Sequence, residues 1–249
     1  MADRLFAEPA LAELYDTWCP WPGRGDFRFY LPLVMAAGAV LDVGCGTGEL
    51  LHLARQAGHT GRLCGLDPAP GMLRQARKRP GIEWVLGDAA SATWDGDFDL
   101  AVMTGHAFQA LVTDAEIRAS LAAIRAALSP GGRFAFETRN PLARAWEDWT
   151  PDRPAEVTSA AGDVVTIVTQ VQEPVTGDTV TFTHTFTSPG WDGPEVSRST
   201  LRFLGPGALA SFLSGAGLAI GEQFGGWGSQ PLTDASPEII TIARRPAGA

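Results

Sequence analysis

An aspartate and three glycines at alternating positions, Asp42, Gly44, Gly46 and Gly48, form the densest chemical signal in the chain. They close the apolar run 40–43 and precede residues 49–57, where Leu50, Leu53 and Ala54 fall on one helical face. A glycine loop between a buried strand and a helix lets the backbone approach a ligand closely, at a helix amino end whose N–H groups are free. Asp67 ends the next apolar run, 25 residues after Asp42. A carboxylate there can accept two hydrogen bonds from a ribose diol. Together these residues imply a nucleoside ligand. The nicotinamide fingerprint is G-x-G-x-x-G; in this chain the third glycine comes one position too soon for it.

Four further groups could do chemistry. Gly87-Asp88-Ala89 follows a third apolar run, where Asp88 reads as a ligand acceptor or as a turn residue. Thr104-Gly105-His106-Ala107-Phe108-Gln109 follows a fourth. Histidine side chains ordinarily exchange a proton near neutral pH, so His106 could take one from an attacking hydroxyl or amine; the alternative is a structural histidine bonded to backbone. Glu137, Arg139 and Asn140 leave a fifth run at the same edge, to position an acceptor or to form a solvated strand end. In the stretch 180–186, His184 alternates onto the apolar face with Val180, Phe182 and Phe186, which favours a core histidine. Trp146, Trp149, Trp191 and Trp227 read as pocket walls or core. No G-x-x-x-x-G-K-[ST] loop, G-x-S-x-G elbow or H-E-x-x-H helix occurs, and nothing calls for a metal.

The Asp42–Gly48 motif resembles the first motif, D/E-x-G-x-G-x-G, of the class I S-adenosylmethionine-dependent methyltransferases. The resemblance implies that Gly44, Cys45, Gly46 and Gly48 lie against the methionine part of S-adenosylmethionine. It assigns Asp67, with Pro68, to the ribose hydroxyls, Met72 to packing on adenine, and Asp88, between Gly87 and Ala89, to the adenine amino group. Thr104 and His106 would stand beside the sulfonium, and Gln109, Arg139 and Trp227 beside the acceptor. Tyr15, one of two tyrosines with Tyr30, would close over the cofactor. The product would be S-adenosylhomocysteine. The motifs cover residues 38–140; the resemblance extends to 205–249 by pattern and to 1–37 and 141–204 loosely. Two other functions stay open: a nicotinamide oxidoreductase, and a non-catalytic scaffold that keeps the cofactor fold. Protein or nucleic-acid methylation is a weaker reading, since Asn140-Pro141 lacks the second proline and the aromatic of Asn/Asp-Pro-Pro-Tyr.

The elements needed to hold these residues can be read from periodicity. Apolar runs at 40–43, 62–66, 82–86, 98–103 and 133–138 alternate with helical segments, as βαβ units of a mostly parallel sheet with helices on both faces do. Pro70 opens one helix. Thr113 and Glu116 predict a capping box for another, with Ile117, Leu121, Ile124 and Leu128 on one stripe. Residues 1–37 read as two short helices around Trp18–Gly23, a lid, the second from Asp26 to Ala36. Residues 141–204 read as an antiparallel β insertion, with strands at 164–171, 179–187 and 196–204, and as a cap on the acceptor side. The α/β core resumes over 205–249, with a helix from Pro206 and closing strands at 218–224 and 239–243. The expected fold is Rossmann-like α/β, with core segments 38–140 and 205–249.

Bulk properties narrow the partners. The 249 residues are 45% hydrophobic, enough for one α/β domain with an elaboration. A net charge of −9 and a pI near 4.9 disfavour nucleic acid. The cluster Arg74, Arg77, Lys78 and Arg79 reads as a solvated helix face. No apolar run reaches membrane-spanning length, and the opening residues lack the apolar core of a secretory leader. Three widely spaced cysteines, Cys19, Cys45 and Cys64, fit a reducing, cytoplasmic setting. The expected partner is a small-molecule acceptor, with neither nucleic acid nor membrane; a homodimer through the insertion is a further expectation.

Overall fold

The computed structural model describes residues 3–248; Met1, Ala2 and Ala249, the outermost residues of the expected lid and core segments, lie outside the described residues. The amino-terminal stretch is three single helical turns, α1 (Arg4–Ala7), α2 (Pro9–Ala12) and α3 (Tyr15–Trp18), followed after a 3-10 turn at Trp21–Gly23 by α4 (Gly25–Met35). The core then runs β1 (Ala39–Val43), α5 (Glu49–Gln56), β2 (Arg62–Asp67), α6 (Pro70–Ala76), β3 (Glu83–Leu86), β4 (Phe98–Met103), α7 (Asp114–Ala127) and β5 (Leu128–Arg139). The insertion holds β6 (Ala155–Thr158), β7 (Val164–Val171), β8 (Thr179–Thr187) and β9 (Glu195–Arg202). Finally α8 (Pro206–Gly215), β10 (Ala219–Phe224) and β11 (Glu238–Arg244) complete the core.

The seven-stranded sheet has the order β10-β11-β5-β4-β1-β2-β3. The pairings of β1 to β5 are parallel, while β11 runs antiparallel to both β5 and β10. Each strand alternates its side chains between two helical layers. Val40, Leu100, Val102 and Ala135 pack with α4 and α5 through Phe27, Tyr30, Val34, Leu50 and Leu51. Leu41, Val43, Ala101, Met103, Phe134 and Phe136 pack with α7 and α8 through Ile117, Leu121, Ile124, Leu209 and Leu213. Each of the Val, Leu, Ile, Phe and Met side chains so withdrawn from water stabilises the fold by about 1.5–3 kcal/mol. The capping box forms as expected: Thr113 N–H donates to Glu116 Oε2 at 2.8 Å, and Glu116 N–H returns to Thr113 Oγ1 at 3.2 Å.

Three expectations need correction. The lid reading stopped at residue 37, but α4 buries Phe27, Tyr30 and Val34 against the sheet and belongs to the core layer. The turns before it are three rather than one helix, because Pro9 removes a backbone donor and restarts the chain at α2. The insertion has a fourth strand, β6, giving a sheet of order β6-β7-β8-β9. Its apolar face packs Val157, Val165, Ile167 and Phe186 against Leu5, Leu11, Leu14 and Trp18. The amino-terminal turns therefore lie between the insertion and α6. Gly71 makes that approach feasible: a Cβ there would stand 2.6 Å from the Phe6 carbonyl oxygen.

Candidate functional site

The strand order reverses at β1, which is flanked by β2 and β4, so a crevice opens at the carboxyl ends of these strands. The glycine loop fills that position. Gly44, Gly46 and Gly48 adopt φ values of 72°, 57° and 77°, a left-handed backbone that side chains resist. The surroundings differ at each. A Cβ on Gly44 would meet Ala107 at 2.9 Å, and one on Gly48 would meet the Trp84 ring at 2.1 Å. A Cβ on Gly46 would meet nothing within 4 Å. Gly46 thus faces open space at the amino end of α5.

That space is a recess open to solvent. Tyr15, Arg24, Asp42, Gly44, Gly46 and Thr104 are among the residues that line it, as is Cys45. Asp42 is 1% exposed, and its Oδ1 is buried with no hydrogen-bond partner. Burial first, and repulsion from Asp67 second, push its carboxyl up to about 8. Arg24 is the cation of the recess. Burial works against its charge, but the hydrogen bond to Asp26 and the nearby acids outweigh it and hold the guanidinium protonated. Its Nε donates to Asp26 Oδ1 at 3.1 Å, and the guanidinium lies 4.0 Å from the centre of the Phe27 ring. Burial pushes the Tyr15 phenol up to about 12, so it stays a neutral wall.

Asp67 sits beside the loop. Its Oδ2 accepts from Gly46 N–H and its Oδ1 from Ala69 N–H, each at 2.8 Å. Each oxygen keeps accepting capacity beyond that one bond. Burial raises the Asp67 carboxyl, and these two hydrogen bonds oppose the rise. Gly87 N–H donates to the Asp67 carbonyl at 3.1 Å, which brings the end of β3 alongside. Asp88 is exposed and caps a short turn, accepting from Ser91 N–H at 2.9 Å; Ala89 is buried against α7, and Pro68 is exposed. Met72 is buried, packed with Ala12, Ala69, Phe6 and Tyr15 beneath the amino-terminal turns.

The end of β4 carries a second cluster. His106 has φ 61° and ψ 22°, an unusual conformation for a residue with a Cβ. Its backbone N–H donates to Glu137 Oε1 at 2.7 Å, and its Nε2 lies 2.9 Å from Glu238 Oε2. Glu137 is fully buried and also accepts from the Tyr30 hydroxyl. Burial raises both groups; the carboxylate beside it raises the Tyr30 phenol further, so the phenol remains a donor. Arg139 stacks 5.1 Å from the centre of the Trp149 ring and donates to Gln109 Oε1 at 3.1 Å. Burial lowers its basicity.

Several expected residues do other work in this structure. Gln109 is fully buried, and its amide spans Arg139 and the Arg202 carbonyl, so it joins β5 to the insertion instead of reaching the recess. Asn140 donates to the carbonyls of Asp234 and Ser236 and pins that loop. Trp227 packs over Gly25 and against Phe29 and Tyr30. His184 bonds Thr169 Oγ1 at 2.9 Å, and burial pushes it down to about 4. Trp146 and Trp149 pack on Phe203, and Trp149 also on Phe182.

Three site residues escaped the sequence reading. Arg24 and Glu238 stand in polar stretches with no period to mark them. Arg79 departs from the solvated face expected for its cluster: Arg74, Arg77 and Lys78 are exposed, but Arg79 turns inward, bonding Asp16, Glu49 and the Thr47 carbonyl. Asp16 also accepts from the Thr47 hydroxyl, so the amino-terminal turns are latched to the glycine loop. Among the described residues no group of three His, Cys, Asp or Glu side chains is placed to hold a metal, and no helix is long and apolar enough to cross a membrane.

Comparison with known proteins is consistent with this geometry. A family model described as a methyltransferase domain matches residues 40–132. The chain is 31% identical over 161 residues to a 2-phytyl-1,4-naphtoquinone methyltransferase of Trichormus variabilis, covering 57% of this chain and 69% of that one. The corresponding protein of Nostoc punctiforme is 30% identical over 156 residues, 55% of this chain and 66% of that one. Among solved structures, the amino pentose methyltransferase CalS10 from Micromonospora echinaspora, solved with S-adenosylmethionine bound, superposes with a TM-score of 0.62 at 25% identity over 89% and 88% of the two chains. The CcbJ methyltransferase from Streptomyces caelestis gives 0.75 at 21% identity over 95% and 97%, a likeness of fold.

Proposed function

Because the chain belongs to the S-adenosylmethionine-dependent methyltransferases, we propose that the recess binds S-adenosylmethionine and that the enzyme moves its methyl group to a small-molecule amine or hydroxyl. The observation that carries this reading is Asp42, which lines the same recess as Arg24 and whose buried Oδ1 has no hydrogen-bond partner. Such a pair fits an amino-acid head group: the ammonium meets Asp42 and the carboxylate meets Arg24. Asp67 takes the ribose hydroxyls, Gly46 offers the open approach, and Gly44, Cys45, Gly48 and Thr104 shape the floor. Pro68, Met72, Gly87, Asp88 and Ala89 border the adenine end, and Tyr15 covers the cofactor. A dinucleotide fits poorly, since its diphosphate would face the carboxyl groups of Asp67 and Glu49 at the amino end of α5.

When bound, the sulfonium supplies an already activated methyl group. The protein's task is alignment for in-line attack and exclusion of water. His106 receives the proton lost by the acceptor, and Glu137 fixes the backbone that presents it. The insertion caps the acceptor side, and α1 to α3 act as a lid latched through Asp16, Thr47 and Arg79.

Calorimetric titration of the wild type and Asp67→Ala with S-adenosylhomocysteine and NADH tests the reading. Tight binding of the sulfur nucleoside, weakened at least tenfold in the variant, supports it. Binding of NADH alone, or of neither ligand, overturns it.

A further inference from the structure

Arg139 has an unusual environment for a half-buried arginine: among the described residues no carboxylate lies within ion-pairing distance of it. Charges removed from water are normally paired. The neighbouring acids are committed elsewhere. Glu238 stands opposite Arg139 in the β5–β11 register, on the same face of the sheet, but its carboxylate turns to His106. Glu137, two residues earlier on the same strand face, is taken by Tyr30 and His106. One guanidinium N–H reaches Gln109, and among the described residues the rest of the planar fork has no protein acceptor. The stack on Trp149 orients the guanidinium without neutralising it. Glu238 and Glu137 on the same sheet face, and Tyr15 at the recess, are the groups close enough to influence its charge. Arg139 therefore stands at the insertion's aromatic wall of Trp149, Phe182 and Phe203, within electrostatic reach of Tyr15, which lines the recess.

We propose that Arg139 is the anchor for an oxyanion on the methyl acceptor, so that the acceptor is an organic carboxylate or phosphate lying against Trp149 with its nucleophilic atom toward His106. The inference rests on the methyltransferase reading above. A guanidinium fork matches two oxygens of a carboxylate or phosphate, and the preformed stack means little side-chain freedom is lost on binding. Glu238 contributes indirectly. By pairing with His106 it leaves Arg139 free, and its own charge turns away anions that approach from the β11 side.

The test uses the full-length protein saturated with S-adenosylhomocysteine and follows tryptophan fluorescence while benzoate, phenyl phosphate or neutral benzamide is added. Saturable binding of one or both anions, at least about tenfold tighter than benzamide, is expected, and the stronger of the two identifies the acceptor's anion as carboxylate or phosphate. Arg139→Gln should remove that preference while S-adenosylhomocysteine affinity stays within about twofold of wild type, and Arg139→Lys should restore only part of it, since it keeps the charge but loses the fork. Equal binding of anions and benzamide, or an anion preference that survives in Arg139→Gln, overturns the anchor and leaves the cofactor reading intact. Failure of the wild type to bind S-adenosylhomocysteine overturns both.

Discussion

Replacing Gly46 and Gly48 separately by alanine should divide ligand binding from stability. Both glycines are left-handed, at φ 57° and 77°, so each alanine carries about 1–2 kcal/mol of backbone strain. At Gly46 there is no further steric cost within the protein, because a Cβ meets nothing within 4 Å. At Gly48 the new methyl collides with the Trp84 ring at 2.1 Å. That ring is held in place: its indole N–H donates to the Arg79 carbonyl at 3.2 Å, and it also lies close on Gly65, where a Cβ would stand 2.4 Å from it. Overpacking of this kind adds about 1–3 kcal/mol. At about 2–4 °C per kcal/mol for a chain of this size, Gly46→Ala should lower Tm by roughly 2–8 °C and Gly48→Ala by roughly 4–20 °C. Binding should follow the opposite order. The Gly46 methyl occupies the recess and should weaken S-adenosylhomocysteine at least tenfold, about 1.4 kcal/mol. The Gly48 methyl points at Trp84, so the folded variant should bind within about threefold of wild type. Scanning calorimetry and ligand titration on the same samples read both quantities. Loss of binding in Gly48→Ala with binding retained in Gly46→Ala would refute the assignment of Gly46 as the point of ligand approach.

Three other expectations follow from the site. Asp42 titrates near 8 when folded against an ordinary 3.8, so the folded state binds the extra proton and the unliganded protein should lose stability as pH rises from about 4 through 8. A ligand ammonium lowers that value, so S-adenosylmethionine binding should release a proton near pH 7 and tighten toward pH 8; titration in buffers of different ionisation enthalpy detects this, and Asp42→Asn should abolish it. Arg79→Ala should open the latch of Asp16, Glu49 and Thr47, seen as faster hydrogen exchange in residues 4–18; unchanged exchange there argues against a latch. His106→Ala should slow transfer to a hydroxyl by about 10²–10⁴-fold, and far less to an amine, with S-adenosylhomocysteine affinity retained; equal rates for wild type and variant on a hydroxyl acceptor remove the base role.

The sequence made some features plain for physical reasons. Strands β1 to β4 are bounded by glycine, proline and capping residues and carry dense apolar runs, so their positions came through within about one residue; β5 begins at Leu128, five residues before the expected 133, because the strand runs on through Pro130-Gly131-Gly132. The Thr113/Glu116 cap is a local interaction and was readable locally. What escaped depends on distant pairing. Glu238 meets His106 across 132 residues, and nothing near either one signals the contact. Arg79 was indistinguishable from its exposed neighbours because its acceptors, Asp16 and Glu49, lie on other elements. β6 is four residues long and exists only as the partner of β7. Gln109 shows the reverse error: it stands in the right loop by sequence, yet its amide is consumed in joining the core to the insertion.

A crystal structure of the protein with S-adenosylhomocysteine tests the central claim most directly. The account predicts the ribose hydroxyls within hydrogen-bonding distance of Asp67, the amino group against the Asp42 carboxyl group and the carboxylate on Arg24, with Gly46 beneath the chain that joins them. A nucleoside bound away from Asp67, or an amino-acid head group that leaves Asp42 and Arg24 untouched, would contradict it.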